Sequence, residues 1–434
     1  MGELCRPGMP GGPGPVHNDR MRLGDIANEQ NPDQPRPLEG VRILAAEQMA
    51  ALPFATQLLG RLGAEVVKIE HPTTGDSGRG SVPFVLDPDG RKVGATFLRN
   101  NFGKRSVALD LKAPEGVELF LDLATRFDIV CENFKAGTAD RLGIGYDAVS
   151  ARHPEVVYLS VSGFGNDPAS PYMHRAAYAA VVEGMSGIYE YKRRPGRRPT
   201  ANPVGALGDI SSALFGVVGI LAALRHRDRT GQGQYIDIAM LDATMAMTDI
   251  VSNFYSMGIP DEASSGVGIV ETFEAGQGNF VLQIVREHHF EKVAEITGNA
   301  DWLSDPRFES RAGWQEHFET IIRPGIERWA ADKSNKEAVT ILSGEGIAAG
   351  ESNSSQEIVE DDHVAVRNML VAVPRDDGGD PVLVPGNPVK MSRTQEGPET
   401  RVPWLGEHTD DVLASELGLG ADRLVELRDR GVIS

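Results

Sequence analysis

VRILAAEQMAALPFATQLLGRLGAEVVKIE, Val41 to Glu70, decides the fold. VRILAAE is a short apolar run without breakers, the pattern of a buried strand. PFATQLLGRLG carries apolar residues at helical spacing and stops at Gly63, and AEVVKIE is a second strand. Strand, helix and strand in succession imply a parallel pair joined by a right-handed crossover. Working outward, RSVALDL, the helical PEGVELFLDLATRF, the strand DIVCENF and then VVYLSVSGFG repeat the alternation. Strands alternating with helices give an α/β domain on a parallel sheet.

The chain has 434 residues, which favours two domains, and a formal net charge of −19. That charge argues against nucleic acid or an anionic membrane as partner, although local basic patches remain possible. Cys5 and Cys131 are too few for a disulfide framework or a cysteine-based metal site, which fits a reducing compartment. The N-terminus lacks the pattern of a signal peptide. The longest apolar run, Ala213 to Leu224, is too short to span a bilayer and suits a core helix.

Four segments follow from texture. Residues 1–36 are rich in Gly, Pro, Asn and Asp and read as a tail. Residues 37–261 hold the large α/β domain. Residues 262–392 change character: the strand GNFVLQIV, helices in HHFEKVAEITG and HFETIIRPGIERWAA, and a small β element in DGGDPVLVPGNPVKM form a smaller α+β domain. Residues 393–434 are helical again and are expected to return to the large domain.

The first strand–helix junction, AAEQMAALP, is not a glycine-rich dinucleotide fingerprint. NFGKRS lacks the earlier glycine of a phosphate loop, and GMSGI is no nucleophile elbow. Glu70 reads as a solvated acid at a strand end. His288 and His289 point to different helix faces, and no metal is expected. Arg79, Lys104, Arg105, Lys112 and Arg141 lie near strand–helix junctions and are available to a phosphorylated ligand, as is the cluster KRRPGRR, Lys192 to Arg198. In VGALGDISSALFG, Val204 to Gly216, Asp209 has two readings. It is the N-cap of the following helix, or a carboxylate nucleophile presented at the carboxyl edge of the sheet and stabilised there by the helix N-terminus.

The chain resembles the family III CoA-transferases, the group of formyl-CoA:oxalate and carnitine CoA-transferases, over residues 37–434. The resemblance rests on ordered landmarks: PLEGVRIL, LGRLGAEVVKIEHPTTGD, GKRSVALDLKAPEG, VCENFKAGTADRLGIGY, the segment from GALGD to LDA, and WLGEHTDDVLASELGL. It implies a Rossmann-like large domain with a smaller α+β domain, an interlocked homodimer and a cytoplasmic enzyme. It implies coenzyme A and acyl-CoA as substrates, a carboxylic acid acceptor, and Asp209 as the group that carries the acyl and then the CoA thioester. It also implies CoA contacts at Ala50, Ala51, His71, Leu109, Lys112, Asn133, Phe134, Lys135, Arg141 and Tyr178. SSGVG, Ser264 to Gly268, matches a loop that shields the intermediates. Ala50 stands where the family often has a polar residue, and GIAAGESNS lacks the family's prolines. Related α-methylacyl-CoA racemases have a catalytic acid where this chain has Ala179. That favours transfer over Cα racemisation, with a non-catalytic CoA-binding homologue as the remaining alternative. Glu183, one helical turn beyond Ala179, reads as structural.

Overall fold

The computed structural model describes residues 35–190, 198–201, 205–258, 268–373, 375, 379–394 and 400–434. Most of the proposed tail, Lys192–Arg197 of the basic cluster and Ser264–Val267 of the glycine loop lie outside the described residues.

In chain order the elements begin β1 (Arg42–Ala46), α1 (Ala51–Arg61), β2 (Glu65–Glu70), β3 (Phe84–Leu86), β4 (Lys92–Gly94), α2 (Ala95–Asn100) and β5 (Arg105–Ala108). Then come α3 (Pro114–Ala124), β6 (Ile129–Glu132), α4 (Thr138–Leu142), α5 (Tyr146–Arg152) and β7 (Val157–Ser162). α6 (Ala179–Met185), α7 (Leu207–Thr230), β8 (Gln234–Ala239) and α8 (Met240–Met245) complete this part. β5-β2-β1-β6-β7-β8 form one sheet in which every pair is parallel.

Helices cover both faces, so the central strands are buried on both faces rather than alternating between buried and exposed. Ile43 and Ala45 of β1 pack into the layer of α1, α6 and α7, while Leu44 and Ala46 pack toward α3 and the C-terminal helices α15 (Thr409–Leu417) and α16 (Ala421–Asp429). Leu413, Leu424 and Ile433 share that second core, and Ile433 bridges to Leu109.

α7 has 24 residues, longer than the apolar run suggests, and is long and apolar enough to cross a membrane. Instead it lies on the sheet through a small-residue face, Ala213, Gly216 and Ala223. A Cβ on Gly216 would sit 3.2 Å from Leu159, so the glycine sets the close approach.

β9 (Ile269–Glu274), β10 (Asn279–Ile284) and β11 (Ala348–Glu351) form a separate antiparallel sheet. Four helices stand against it: α9 (Glu287–Ile296), α10 (Arg311–Glu316), α11 (Arg323–Ala330) and α12 (Asn335–Gly344). Its core is aromatic: Phe290 stacks on Trp314 at 4.5 Å. HFETIIRPGIERWAA is not one helix: a π-helical turn, Phe318–Ile322, precedes α11, and Pro324 stands in the first turn because it lacks the N–H an interior position needs. After α13 (Ser355–Val359) and α14 (Asp362–Val366), the hairpin β12 (Leu370–Val373)–β13 (Val382–Pro385) packs against Val93, Phe97 and Val402 rather than on the aromatic core.

Candidate active site

The sequence around Asp209 folds the way it does because of Gly208. A Cβ at Gly208 would come 2.7 Å from Val182 Cγ2 and 3.3 Å from Ala179 Cα, so only glycine lets the first turn of α7 rest on α6. Asp209 is not the N-cap. That position is Ala206, held at φ +59° with no side-chain cap, and Asp209 lies inside the first turn. Among the described residues its carboxylate has no hydrogen-bond or ion-pair partner.

Glu183 of α6 faces this turn. Only 1% of it is exposed. Its Oε1 accepts the Gly208 N–H at 3.0 Å and its Oε2 accepts the Tyr189 hydroxyl at 2.8 Å. Burial, and then the charge of Glu183, push the Asp209 carboxyl from 3.8 up to about 6. The stabilisation expected from the helix N-terminus is outweighed by these two effects.

The other predicted residues gather at the carboxyl edge of neighbouring strands, where ligands bind in open α/β sheets. Ala50 and Ala51 open α1 after β1. His71 follows β2. Leu109 and Lys112 follow β5, and Asn133, Phe134 and Lys135 follow β6. Arg141 is in α4, and Tyr178 is the N-cap of α6, 72% exposed. Lys112 and Lys135 are exposed and, among the described residues, unpaired. Among the described residues the Arg141 guanidinium donates to Thr138 Oγ1 and to no carboxylate. His71 is exposed and its Nδ1 accepts the Thr73 N–H. Exposed cations without carboxylate partners fit the phosphates of CoA.

Several predicted residues are already occupied. Arg79 is buried and bidentate on Glu70, so Glu70 is a buried ion-pair partner and not a solvated acid. Lys104 is buried on Glu47 at 2.6 Å, with Thr56 and Asn101, and Arg105 pairs with Glu65. These three cations are removed from any phosphate site. The Leu109 side chain lies in the core and its N–H donates to the Glu70 carbonyl at 2.9 Å, and Ala51 is buried, so neither side chain is offered to a ligand. The Asn133 side chain clips Gln48, accepting its N–H and donating to its carbonyl, each at 2.9 Å.

The sequence reading missed Glu47 and Glu132. Lys68, fully buried in β2, bridges Glu47 and Asp76, and Asp76 accepts the N–H of Met49, which stands at φ +64°. This network fixes the β1–α1 turn that carries Ala50. Glu132 accepts the Phe134 N–H, and burial pushes its carboxyl up to about 7. Both acids end strands inside apolar runs, which is the only trace they leave in the sequence.

Residues 38–409 match the family described as CoA-transferase family III. Succinyl-CoA:mesaconate CoA-transferase of Haloarcula hispanica is 34% identical over 88% of this chain and 97% of its own. Formyl-CoA:oxalate CoA-transferase of Streptomyces avermitilis is 33% identical over 91% of this chain and 99% of its own. The crystal structure of a CAIB/BAIF family protein from Brucella suis superposes with a TM-score of 0.77 at 29% identity, covering 88% of this chain and 100% of that one. The fold, the edge of unpaired cations and these likenesses agree: the chain belongs to CoA-transferase family III.

Proposed function

We propose that the enzyme moves coenzyme A from an acyl-CoA to a carboxylic acid through covalent intermediates on Asp209. The observation that carries this is the Asp209 carboxylate itself: in the first turn of α7, half-buried and without a partner among the described residues. In this reading Asp209 attacks the thioester carbonyl. A mixed anhydride forms and CoA leaves as thiolate. The thiolate attacks the Asp209 carbonyl, the donor's acid leaves as carboxylate, and an aspartyl-CoA thioester remains. The acceptor carboxylate attacks that thioester, and the returning thiolate releases Asp209 as the new acyl-CoA forms. Backbone N–H groups are the donors we assign to the tetrahedral oxyanions.

His71, Lys112, Lys135 and Arg141 are assigned to the CoA phosphates, Phe134 to the border of adenine, and Ala50, Ala51, Asn133 and Tyr178 to the turns along the rest of the ligand. The two named relatives act on mesaconate and oxalate, both dicarboxylic acids. A short dicarboxylate is therefore the acceptor class we infer. A Cα racemase would need a second acid facing the substrate. The nearest, Glu183, is buried with both oxygens held. A homodimer is part of the proposal: Phe215, Val218 and Leu221 of α7 and Val181 of α6 are exposed on the isolated chain, an apolar face that a second copy would cover.

The test is intact-protein mass spectrometry after incubation with succinyl-CoA and other acyl-CoAs, with hydroxylamine or borohydride trapping. An adduct mapping to the Asp209 peptide, absent in Asp209→Ala, is expected. No adduct with any donor, with CoA still bound, would leave only a binding protein.

A further inference from the structure

We propose that Glu183 is a positioning residue for Asp209: it anchors the first turn of α7 through the Gly208 N–H and sets a second negative charge, without a cation, against the Asp209 carboxylate. The inference rests on Asp209 being the group that becomes acylated.

The geometry is specific. Glu183 takes its two hydrogen bonds from neutral donors, a backbone N–H and a phenol, and forms no ion pair among the described residues. A buried carboxylate is ordinarily paired or replaced by an apolar group. Gly208, directly before Asp209, is both the anchored residue and the one whose missing Cβ permits the contact. The elements packed on α6 and α7 offer other charged groups: Arg61 on α1, Asp237 on β8, Asp242 on α8 and Glu190 beside Tyr189. The cations of α7 itself begin at Arg225, about 24 Å along the helix from Asp209. Among these described groups Glu183 is the charge set against Asp209, by the bond its Oε1 makes to the N–H of the preceding Gly208.

The chemical consequence follows from the charge balance of the first step. Asp209 is anionic before attack and neutral once acylated. Repulsion from Glu183 therefore raises the free carboxylate and is relieved as the bond to the acyl carbon forms. Such a difference between starting state and transition state accelerates the chemical step. Binding of the donor elsewhere on the sheet does not draw on it.

The experiment is a carboxyl titration by difference infrared spectroscopy on protein labelled with 13C-aspartate, the Asp209 band being the one lost in Asp209→Asn. In Glu183→Gln the midpoint is expected to fall by roughly half a pH unit or more while staying above the ordinary range, because burial persists. Glu183→Asp, which keeps the charge, should hold it closer to wild type. The acid limb of kcat/KM should move with the midpoint, and adduct formation should slow several-fold with KM for the donor unchanged. An unmoved midpoint in a folded Glu183→Gln protein overturns the proposal. Should that variant not fold, Gly208→Ala keeps both acids and forces the turn away from α6; a lower midpoint supports the proposal and an unchanged one overturns it. The titration needs no turnover. A wild-type enzyme that forms no adduct would sink the nucleophile assignment whatever the titration gives.

Discussion

Glu47 and Glu183 are both buried acids at the carboxyl edge of one sheet, 4% and 1% exposed, and the protein treats them in opposite ways. Glu47 meets Lys104 at 2.6 Å and Lys68 at 3.4 Å, and its other oxygen accepts the Thr56 hydroxyl. Among the described residues Glu183 meets only neutral donors, and its charge acts on the carboxyl of Asp209. Around Glu47 every charge is answered. Burial pushes Lys68 down, but Asp76 and Glu47 outweigh it and the ammonium is held above its usual value. Burial pushes Glu70 up, but Arg79 outweighs it and the carboxyl is held below its usual value. Charges that shape the site are compensated. The carboxylate proposed to react faces an acid that, among the described residues, no cation answers.

Replacing the proposed nucleophile should break that contrast most visibly. Asp209→Asn is expected to lower kcat/KM on the order of 10³-fold or more. The same change should not destabilise the fold. A carboxyl whose folded pKa is raised costs stability as pH rises from its unfolded to its folded value; moving it from 3.8 to about 6 is worth about 3 kcal/mol. The stability of Asp209→Asn relative to wild type should therefore grow between pH 4 and 6 and level off above. Urea unfolding at pH 4 and pH 8 checks this, and a variant advantage that shrinks with pH would contradict it.

The compensated cluster should behave in reverse. Glu47→Ala leaves Lys104 and Lys68 facing each other in the interior, and a loss of about 3–5 kcal/mol in urea unfolding is expected. Its acid limb has the opposite sign to that of Asp209. Glu70 and Asp76 are held below their ordinary values, so their contribution is present above about pH 4 and disappears as pH falls through the folded values. Activity of Glu47→Ala should suffer only as far as the Met49 turn loosens, seen as a raised KM before a lowered kcat.

The contrast also explains what the sequence disclosed. The parallel sheet was legible because β1, β2, β6 and β7 are short Val-, Ile-, Leu- and Ala-rich runs between helices of clear period. GALGD alone leaves Asp209 open between helix cap and nucleophile, and the structure removes the cap reading by placing it inside the first turn of α7. The division of the cations was not legible. Arg79 and Lys135 look alike in sequence, yet one is buried on Glu70 and the other is exposed. That outcome depends on which acid the fold brings opposite, and Glu70 and Arg79 meet only through the loop after β2. The structural reading of Glu183 agrees with its two hydrogen bonds, but nothing in AAVVEG shows that α6 turns its buried face toward Gly208.

Gly208→Ala sharpens the comparison by moving the two carboxylates apart without removing either. Its Cβ would sit 2.7 Å from Val182 Cγ2, so the first turn of α7 must shift. A destabilisation of about 1–3 kcal/mol is expected. The fall in kcat should exceed any change in KM, because the nucleophile moves while the cations on the other strands stay. Steady-state kinetics that show only a KM effect would argue that Asp209 serves binding rather than chemistry.

The smallest effect belongs to the unpaired cations. Lys112 and Lys135 are exposed, so each proposed contact with a CoA phosphate is screened by solvent and worth about 0.5–1 kcal/mol. Lys135→Ala should raise KM for the acyl-CoA by roughly two- to fivefold and leave kcat unchanged. The effect should shrink as salt is raised from low to physiological strength, since an exposed pair is screened within about 10 Å at 0.1 M. Lys104→Met offers the control. That lysine is already held by Glu47, so its loss should appear in unfolding and not in the salt dependence of KM. If Lys104→Met and Lys135→Ala gave the same salt-sensitive rise in KM, the separation of compensated from uncompensated charge would fail at the binding edge of the sheet.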